Sequence, residues 1–180
     1  MTRPLIAPAA TFALAVLGLS ACASGPAERT APTSVVRAPV GESSQANWDA
    51  GNRAYLDWNG AQKGWTTTAS GLQYRRIGRA SPEGRQPAAT DTVRVHYRGT
   101  FIDGREFDSS WSRNEPTEFP LNRVIRGWTE GVGLMREGER FEFVIPPSLG
   151  YGERWIGGDE LPPNSTLLFT VDLLEVKPAS

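Results

Sequence analysis

Few side chains in this sequence are able to carry covalent chemistry. Its 180 residues include one histidine, His96, and one cysteine, Cys22. A zinc site of His and Cys ligands therefore cannot be assembled, and a Cys–His nucleophile pair would need both residues together. No Gly-x-Ser-x-Gly turn or Gly-rich phosphate loop occurs, and no motif signals a metal site made of carboxylates. Hydrolases and nucleotide-dependent enzymes are thus disfavoured, and neither a metal nor a cofactor is expected.

Aromatic side chains, in contrast, recur in four short motifs in the second half of the chain. The motifs are VRVHYRG (93–99), GREFDSS (104–110), VIRGW (124–128) and YG (151–152). In order and spacing they resemble the FKBP-type peptidyl-prolyl isomerases, and the resemblance extends from about Gly71 to Val176. It implies an aromatic pocket, almost free of charge, with a few hydrogen-bonding groups on its rim. Such a pocket suits a reaction that makes and breaks no covalent bond.

The resemblance also implies roles for individual residues. Trp128 would form the floor under a proline ring, and the Ile125 backbone N–H and the Tyr151 hydroxyl would hold substrate carbonyl groups. Asp108 would lie on the rim, oriented by a basic partner such as Arg113, and no residue would act as a general acid or base. The implied catalytic residues are Tyr97, Phe107, Asp108, Ile125, Trp128 and Tyr151, and the implied substrate-binding residues are Val124, Phe169, Arg113 and Ile156.

Each of these residues also has a plainer interpretation. Aromatic residues at alternating positions, such as Phe107 and Phe169, are more often core than site. The Asp-Ser-Ser sequence at 108–110 is a common turn or cap signal, and Tyr151 could anchor a loop. The four motifs together favour the pocket. His96 alternates with apolar neighbours, so we expect it to face solvent or a sheet edge and exclude it from the site.

The sequence departs from the family pattern in three places. Thr117 follows Asn-x-Pro where the family often has an aromatic residue, so one wall of the pocket is expected to be weaker. The flap between Tyr151 and Pro162 is one residue longer than in small cytosolic members, and WIG at 155–157 replaces a common histidine. The turn before Val124 is shorter. These changes bear on substrate preference and macrolide affinity more than on proline binding.

The first 22 residues resemble the signal sequence of a bacterial lipoprotein. Arg3 precedes an apolar run at 5–19, which Pro8 interrupts and which is short for a membrane span. The run ends in LSAC (19–22), similar to a lipobox whose cysteine receives a diacylglyceryl group. We therefore expect Cys22 to be the lipidated N-terminus of the mature protein. An ordinary signal peptide, cleaved at an Ala-x-Ala-like site, is the alternative.

A tether is expected between the lipid and the folded domain. The predicted signal peptide covers residues 1–21, and residues 22–45 are rich in Ala, Ser, Gly, Pro and Thr without helical or strand periodicity. Ala23 resembles signals that route a lipoprotein to the outer rather than the inner membrane. The expected location is the periplasmic side of the bacterial envelope. With its single cysteine lipidated, the protein could form no disulfide there.

A short helix should precede the domain that carries the motifs. Trp, Tyr and Leu lie among polar residues at 47–59, just before Gly60, which predicts an amphipathic helix within a helical segment at 46–70. This segment resembles that of envelope FKBPs of the macrophage-infectivity-potentiator type. Several of those relatives dimerise through a much longer upstream helix. Because only a couple of turns precede the matching residues here, we expect a monomer.

Residues 71–177 carry the elements that must position the pocket. Short strand patterns alternate with Gly and Pro, as expected of an antiparallel α+β domain. The apolar run 167–176 predicts a central strand, and the helix signal in this region covers 124–135. The fold that the family resemblance implies is a curved antiparallel β-sheet wrapped around one short α-helix.

Three functions are compatible with these patterns. The formal net charge of −1, from 19 basic and 20 acidic residues, does not indicate a basic surface for binding nucleic acid. The leading expectation is a membrane-tethered prolyl isomerase that aids folding of periplasmic proteins, with proline-containing polypeptides as substrates and macrolides such as tacrolimus and rapamycin as inhibitors. A holdase chaperone with little turnover is the alternative, which Thr117 and the altered flap support. A purely structural lipoprotein is disfavoured by the complete set of pocket residues.

Overall fold

The computed structural model describes residues 42–157 and 160–179. The predicted signal peptide, Cys22 and most of the predicted tether lie outside the described residues. The helices and strands are α1 (Glu42–Gly60), β1 (Thr66–Thr67), β2 (Gln73–Ile77), β3 (Thr92–Thr100), β4 (Glu106–Ser109), β5 (Thr117–Pro120), α2 (Arg126–Gly133), β6 (Arg140–Ile145) and β7 (Leu167–Lys177), with 3-10 turns at Leu121–Arg123 and Pro147–Leu149. No helix in this part of the chain is both long and apolar enough to cross a bilayer.

The strands form one antiparallel sheet in the order β1-β2-β6-β7-β3-β4. Strand β5 pairs with the first half of β3, while β4 pairs with its end. Strand β7 lies in the middle, between β6 and β3, which confirms the central strand predicted at 167–176. The predicted α+β fold, a curved antiparallel sheet around a short helix, is confirmed.

Strand β3 shows why the sheet can serve a core and a surface at once. Val93, Val95 and Tyr97 are buried, whereas the intervening Arg94 and His96 are only partly covered. Successive side chains of a strand point to opposite faces, so the branched and aromatic residues form the core face. The other face carries the charged residues.

Helix α2 packs against the core face of the sheet. Its approach depends on Gly127, because a Cβ at this position would lie 2.5 Å from Cγ2 of Ile145 on β6. Trp128 follows directly and is buried between helix and sheet. The helix is shorter than the predicted segment at 124–135, because Ile125 has extended backbone (ψ 149°) and serves as its N-cap. The backbone N–H of Ile125 is therefore presented at the start of the helix.

Helix α1 is confirmed but longer than predicted. It has 19 residues and begins at Glu42, five residues before the predicted start at Asn47. It thus includes residues 42–45, which the sequence pattern assigned to the tether. The first turn contributes no apolar side chain to the pattern, so periodicity could not reveal it. The predicted end near Gly60 agrees with the structure.

Helix α1 is fastened to the β-domain by buried contacts. The indole of Trp48 is fully buried, contacts the ring of Phe101 edge-on at 5.7 Å and donates to Ser165 Oγ at 3.2 Å. The Thr166 backbone N–H donates to Asn52 Oδ1 at 2.7 Å, and Asn52 is also buried. Buried polar groups that are paired in this way fix the orientation of the helix.

Replacing Trp48 by alanine should reveal how much α1 contributes to stability. We expect Trp48→Ala to lower the free energy of unfolding by about 3–5 kcal/mol, as for other buried aromatic residues. Chemical denaturation followed by circular dichroism measures this. Trp155→Ala is the matched control, because Trp155 is 45% exposed and its loss should cost about 0.5 kcal/mol or less. Equal, small losses in both variants would show that α1 does not stabilise the domain.

Candidate active site

A cavity of about 890 Å³ opens beside α2, between the core face of the sheet and the segment that follows β6. The six predicted catalytic residues all line this cavity, and so do three of the predicted substrate-binding residues: Val124, Ile156 and Phe169. The fourth, Arg113, does not line it but contacts two residues that do. The fold therefore brings predicted residues from three strands, α2 and the flap to one place.

Trp128 forms the floor of the cavity and is held by three rings. The rings of Tyr97, Phe119 and Phe169 lie 5.2, 5.2 and 5.1 Å from it, at interplanar angles of 88°, 70° and 88°. Edge-to-face contacts of this kind each contribute about 0.5–1.5 kcal/mol beyond burial. Only 5% of Trp128 is exposed. The indole is therefore a fixed, flat and apolar surface.

Phe119 is a wall residue that the sequence analysis missed. It lies two positions after Thr117 on β5, and both residues line the cavity. Side chains two apart on a strand share a face. The spacing of two residues from Thr117 was therefore the sequence feature that could have placed Phe119 in the site.

Gly99 on β3 allows the opposite wall to form. A Cβ at this position would lie 2.6 Å from Cζ of Phe107 and 2.8 Å from Cε1 of Phe169. These two rings meet edge-on at 5.6 Å. Any side chain at position 99 would displace one ring or both. The lack of a side chain at Gly99 therefore lets both rings pack here as walls of the cavity.

Tyr97, Asp108 and Arg113 form a closed triangle of hydrogen bonds. The Tyr97 hydroxyl donates to Asp108 Oδ2 at 2.5 Å, Arg113 Nη1 donates to Oδ1 at 2.5 Å, and Arg113 Nη2 donates to the Tyr97 hydroxyl at 3.1 Å. Burial raises the pKa of Tyr97, and its hydrogen bond to Asp108 raises it further. The bonds to Asp108 and Tyr97 also raise the pKa of Arg113. Tyr97 thus stays neutral, and both carboxylate oxygens have a donor.

The Ile125 backbone N–H and the Tyr151 hydroxyl are hydrogen-bond donors on the cavity without an acceptor in the described part of the chain. The Ile125 carbonyl accepts from the N–H groups of Trp128 and Thr129, at 2.9 and 3.1 Å, but the Ile125 N–H meets no acceptor among the described residues. The same holds for the hydroxyl of Tyr151. Burial raises the pKa of Tyr151, and the charge of Asp108 raises it further, so the hydroxyl keeps its proton. Both donors are therefore available to carbonyl groups that enter the cavity.

The rim carries more charge than expected. Besides Asp108, the charged residues that line the cavity are Arg123, Arg126, Arg154 and Glu160. Arg126 Nη2 donates to the Ser148 carbonyl at 2.5 Å. The expectation of a pocket almost free of charge therefore fits the aromatic interior but is wrong for the rim. Long polar side chains keep their charged ends in water while their stems cover apolar surface.

His96 lies outside the cavity, consistent with its exclusion from the site. Its Nδ1 is 2.9 Å from Ser110 Oγ, and its ring stacks on Trp111 at 5.6 Å. It is partly buried rather than fully exposed. Within residues 42–157 and 160–179, no group of three His, Cys, Asp or Glu side chains is arranged to hold a metal ion.

Comparisons with known proteins identify the family. Residues 83–174 match the family model of the FKBP-type peptidyl-prolyl cis-trans isomerases. The chain is 52% identical over 122 residues to the FKBP-type 22 kDa peptidyl-prolyl cis-trans isomerase of Escherichia coli K12, covering 68% of this chain and 58% of the relative. It is 45% identical over 125 residues to the macrophage infectivity potentiator of Trypanosoma cruzi, covering 69% and 63%.

The fold agrees with a solved structure from the same group. The crystal structure of FkpA from Escherichia coli matches with a TM-score of 0.70 at 44% identity, over 75% of this chain and 62% of that one. The chain therefore belongs to the FKBP-type peptidyl-prolyl cis-trans isomerase family. It spans about half the length of the curated relatives it matches.

The pKa of Tyr151 tests the electrostatics of the site. We expect its phenol to ionise above the ordinary tyrosine value of about 10, because burial and the Asp108 charge both disfavour the anion. In Asp108→Asn the pKa should fall but stay above the ordinary value, since burial is the larger cause. NMR titration of labelled tyrosine rings, assigned with Tyr151→Phe, measures both. An identical Tyr151 pKa in the two proteins would place the carboxylate too far away to act.

Proposed function

We propose that this protein is a peptidyl-prolyl cis-trans isomerase that binds a proline ring on Trp128 and accelerates rotation of the preceding bond. The main support for this proposal is that two unpaired donors, the Ile125 N–H and the Tyr151 hydroxyl, lie on a cavity with an aromatic floor. Carbonyl groups on either side of a proline are suitable acceptors for them. Membership of the FKBP family supports the proposal.

The proposed reaction requires stabilisation of a twisted amide and involves no covalent step. Rotation about an X-Pro bond has a barrier of about 18–20 kcal/mol and takes tens to hundreds of seconds uncatalysed. Bringing it to milliseconds needs roughly 10⁴-fold acceleration, or about 5–6 kcal/mol. The twisted amide has lost resonance and has a less polar carbonyl. An apolar cavity therefore favours it over the planar, well-solvated amide.

Each group has a distinct part in this proposal. Trp128 supports the proline ring, and the donors of Ile125 and Tyr151 fix the carbonyl groups while the bond turns. Asp108 and Arg113 hold the ring of Tyr97 against the floor and add a carboxylate to the rim. Donors that are already in place cost no reorganisation during the reaction. Because no proton is transferred, the rate should not depend on a general acid or base.

We further propose that a lipid on Cys22 anchors the protein to the periplasmic face of the outer membrane. The lipobox-like LSAC sequence at 19–22 and Ala23 support it. Several acyl chains, at roughly 0.8 kcal/mol per buried methylene, would make release from the membrane negligible. If residues 22–41, between the lipid and α1, behave as a flexible chain, they would hold the domain roughly 25 Å from the lipid. Substrates would be polypeptides that pass this face of the membrane and fold there.

Variants of the cavity test the isomerase proposal. We expect Phe107→Ala to lower kcat/KM on a proline tetrapeptide about 10- to 100-fold by opening one wall. Tyr151→Phe should lower it about 2- to 10-fold, because it removes one hydrogen bond. A protease-free NMR or solvent-jump assay measures the rates. Trp111→Ala is the matched control, an aromatic residue outside the cavity whose loss should leave the rate unchanged.

The same assay distinguishes the isomerase from a holdase. Turnover by the wild-type protein that rapamycin inhibits supports the isomerase. Suppression of aggregation by a protein that shows no turnover would instead support the binding-only alternative. Undiminished turnover in folded Phe107→Ala and Tyr151→Phe would place the catalytic pocket elsewhere.

The lipid anchor is tested at Cys22 alone. In a bacterial host that processes lipoproteins, the wild-type chain should incorporate radiolabelled palmitate and partition into the detergent phase. Cys22→Ala should lose both properties, because it removes the thiol that carries the lipid. Cys22→Ala protein that stays in the membrane fraction would contradict the anchor, whatever the outcome of the isomerase assay.

A further inference from the structure

A second cavity, of about 550 Å³, lies between the end of α1 and the outer face of the sheet. Its walls include the rings of Tyr55, Trp58 and Trp65, and its floor includes Leu168 and Thr170 of β7. Phe169, between these two, lines both this cavity and the active-site cavity. One strand therefore separates the two cavities. A volume of this size is in the range of binding sites.

The hydroxyl of Tyr55 opens to this second cavity and has no partner among the described residues. Tyr55 is 9% exposed, and its ring is held against Trp58 at 5.5 Å. Its hydroxyl makes no hydrogen bond with any residue that the structure describes. A tyrosine hydroxyl without a protein partner is available to donate to a group that enters the cavity. Burial raises the pKa of Tyr55, which keeps the hydroxyl a donor.

The charges around the second cavity indicate what that group is. Arg75 is paired with Glu142 at 2.5 Å and stacks on Trp65 at 4.9 Å, and Arg98 is paired with Glu106 at 2.9 Å. Lys63 lines the same cavity and forms no ion pair within the described part of the chain. The unpaired charge is thus positive. A carboxylate complements both Lys63 and the donor of Tyr55.

We propose that this second cavity binds an extended polypeptide segment in which an aromatic or branched apolar side chain stands next to a carboxylate. The side chain packs among the rings of Tyr55, Trp58 and Trp65, and the carboxylate meets Lys63. The hydroxyls of Thr100 and Thr170 form hydrogen bonds with the peptide groups of the bound segment. A client held here stays at high effective concentration near the proline pocket. The site does not require isomerase activity.

Two matched peptides without proline test the site on the full chain in lipid nanodiscs. The probes are acetyl-Gly-Phe-Glu-Gly-amide and acetyl-Gly-Phe-Lys-Gly-amide, and calorimetric titration gives the affinities. We expect the acidic peptide to bind about 10-fold more tightly than the basic one. Lys63→Glu should reverse this preference, whereas Arg53→Glu, the same charge change on an exposed α1 residue outside the cavity, should keep it. Tyr55→Phe should weaken the acidic peptide with thermal unfolding unchanged.

Saturating rapamycin distinguishes the two cavities. We expect the acidic peptide to bind equally well with and without rapamycin, because the macrolide occupies the active-site cavity. Competition by rapamycin, equal affinity for both peptides, no binding of either, or binding unaffected by Lys63→Glu would overturn the proposal. A protein that binds the acidic peptide but shows no turnover would contradict the isomerase proposal and leave the second site standing.

Discussion

The indole of Trp128, fixed among three neighbouring rings, is the constraint on which the rest of the site depends. Helix α2 can bring it onto the sheet only because Gly127 has no side chain to strike Ile145. The edges of Tyr97, Phe119 and Phe169 then hold the indole from three sides. The same placement of the helix puts the Ile125 N–H at the rim of the cavity. Core packing and site geometry are therefore one arrangement, which is why residues of the core also form the site.

Electrostatics at the rim complement this apolar floor. Asp108 lines the cavity and is positioned by Arg113 and by the Tyr97 hydroxyl, so its charge is fixed at the rim. Burial and that charge both keep Tyr151 protonated. A neutral donor is the form that can bind a carbonyl group without introducing a second negative charge. The site thus combines an aromatic interior with fixed dipoles at its edge, the combination that the proposed stabilisation of a twisted amide requires.

Alternating apolar residues predicted the strands of an antiparallel α+β domain, because each face of a strand has a single environment. The nearly continuous apolar run at 167–176 predicted its central strand, and the family resemblance implied the curved sheet around a short helix. The four motifs located the cavity residues, and all six predicted catalytic residues line it. Phe119 was missed because its contact with Trp128 depends on how β5 pairs with β3. The early start of α1 was missed because its first turn lacks apolar periodicity. The rim arginines and the cavity beside Tyr55 arise from tertiary packing that no local pattern encodes.

Exchange NMR of a proline tetrapeptide with a small amount of the protein tests the central claim most directly. We predict that cis–trans cross-peaks grow faster when protein is added, and that rapamycin abolishes the effect. In the same titration the Ile125 amide proton should shift as it gains an acceptor. Unchanged exchange together with a shifted Ile125 amide would mean binding without catalysis. Unchanged exchange and an unshifted amide would contradict the account as a whole.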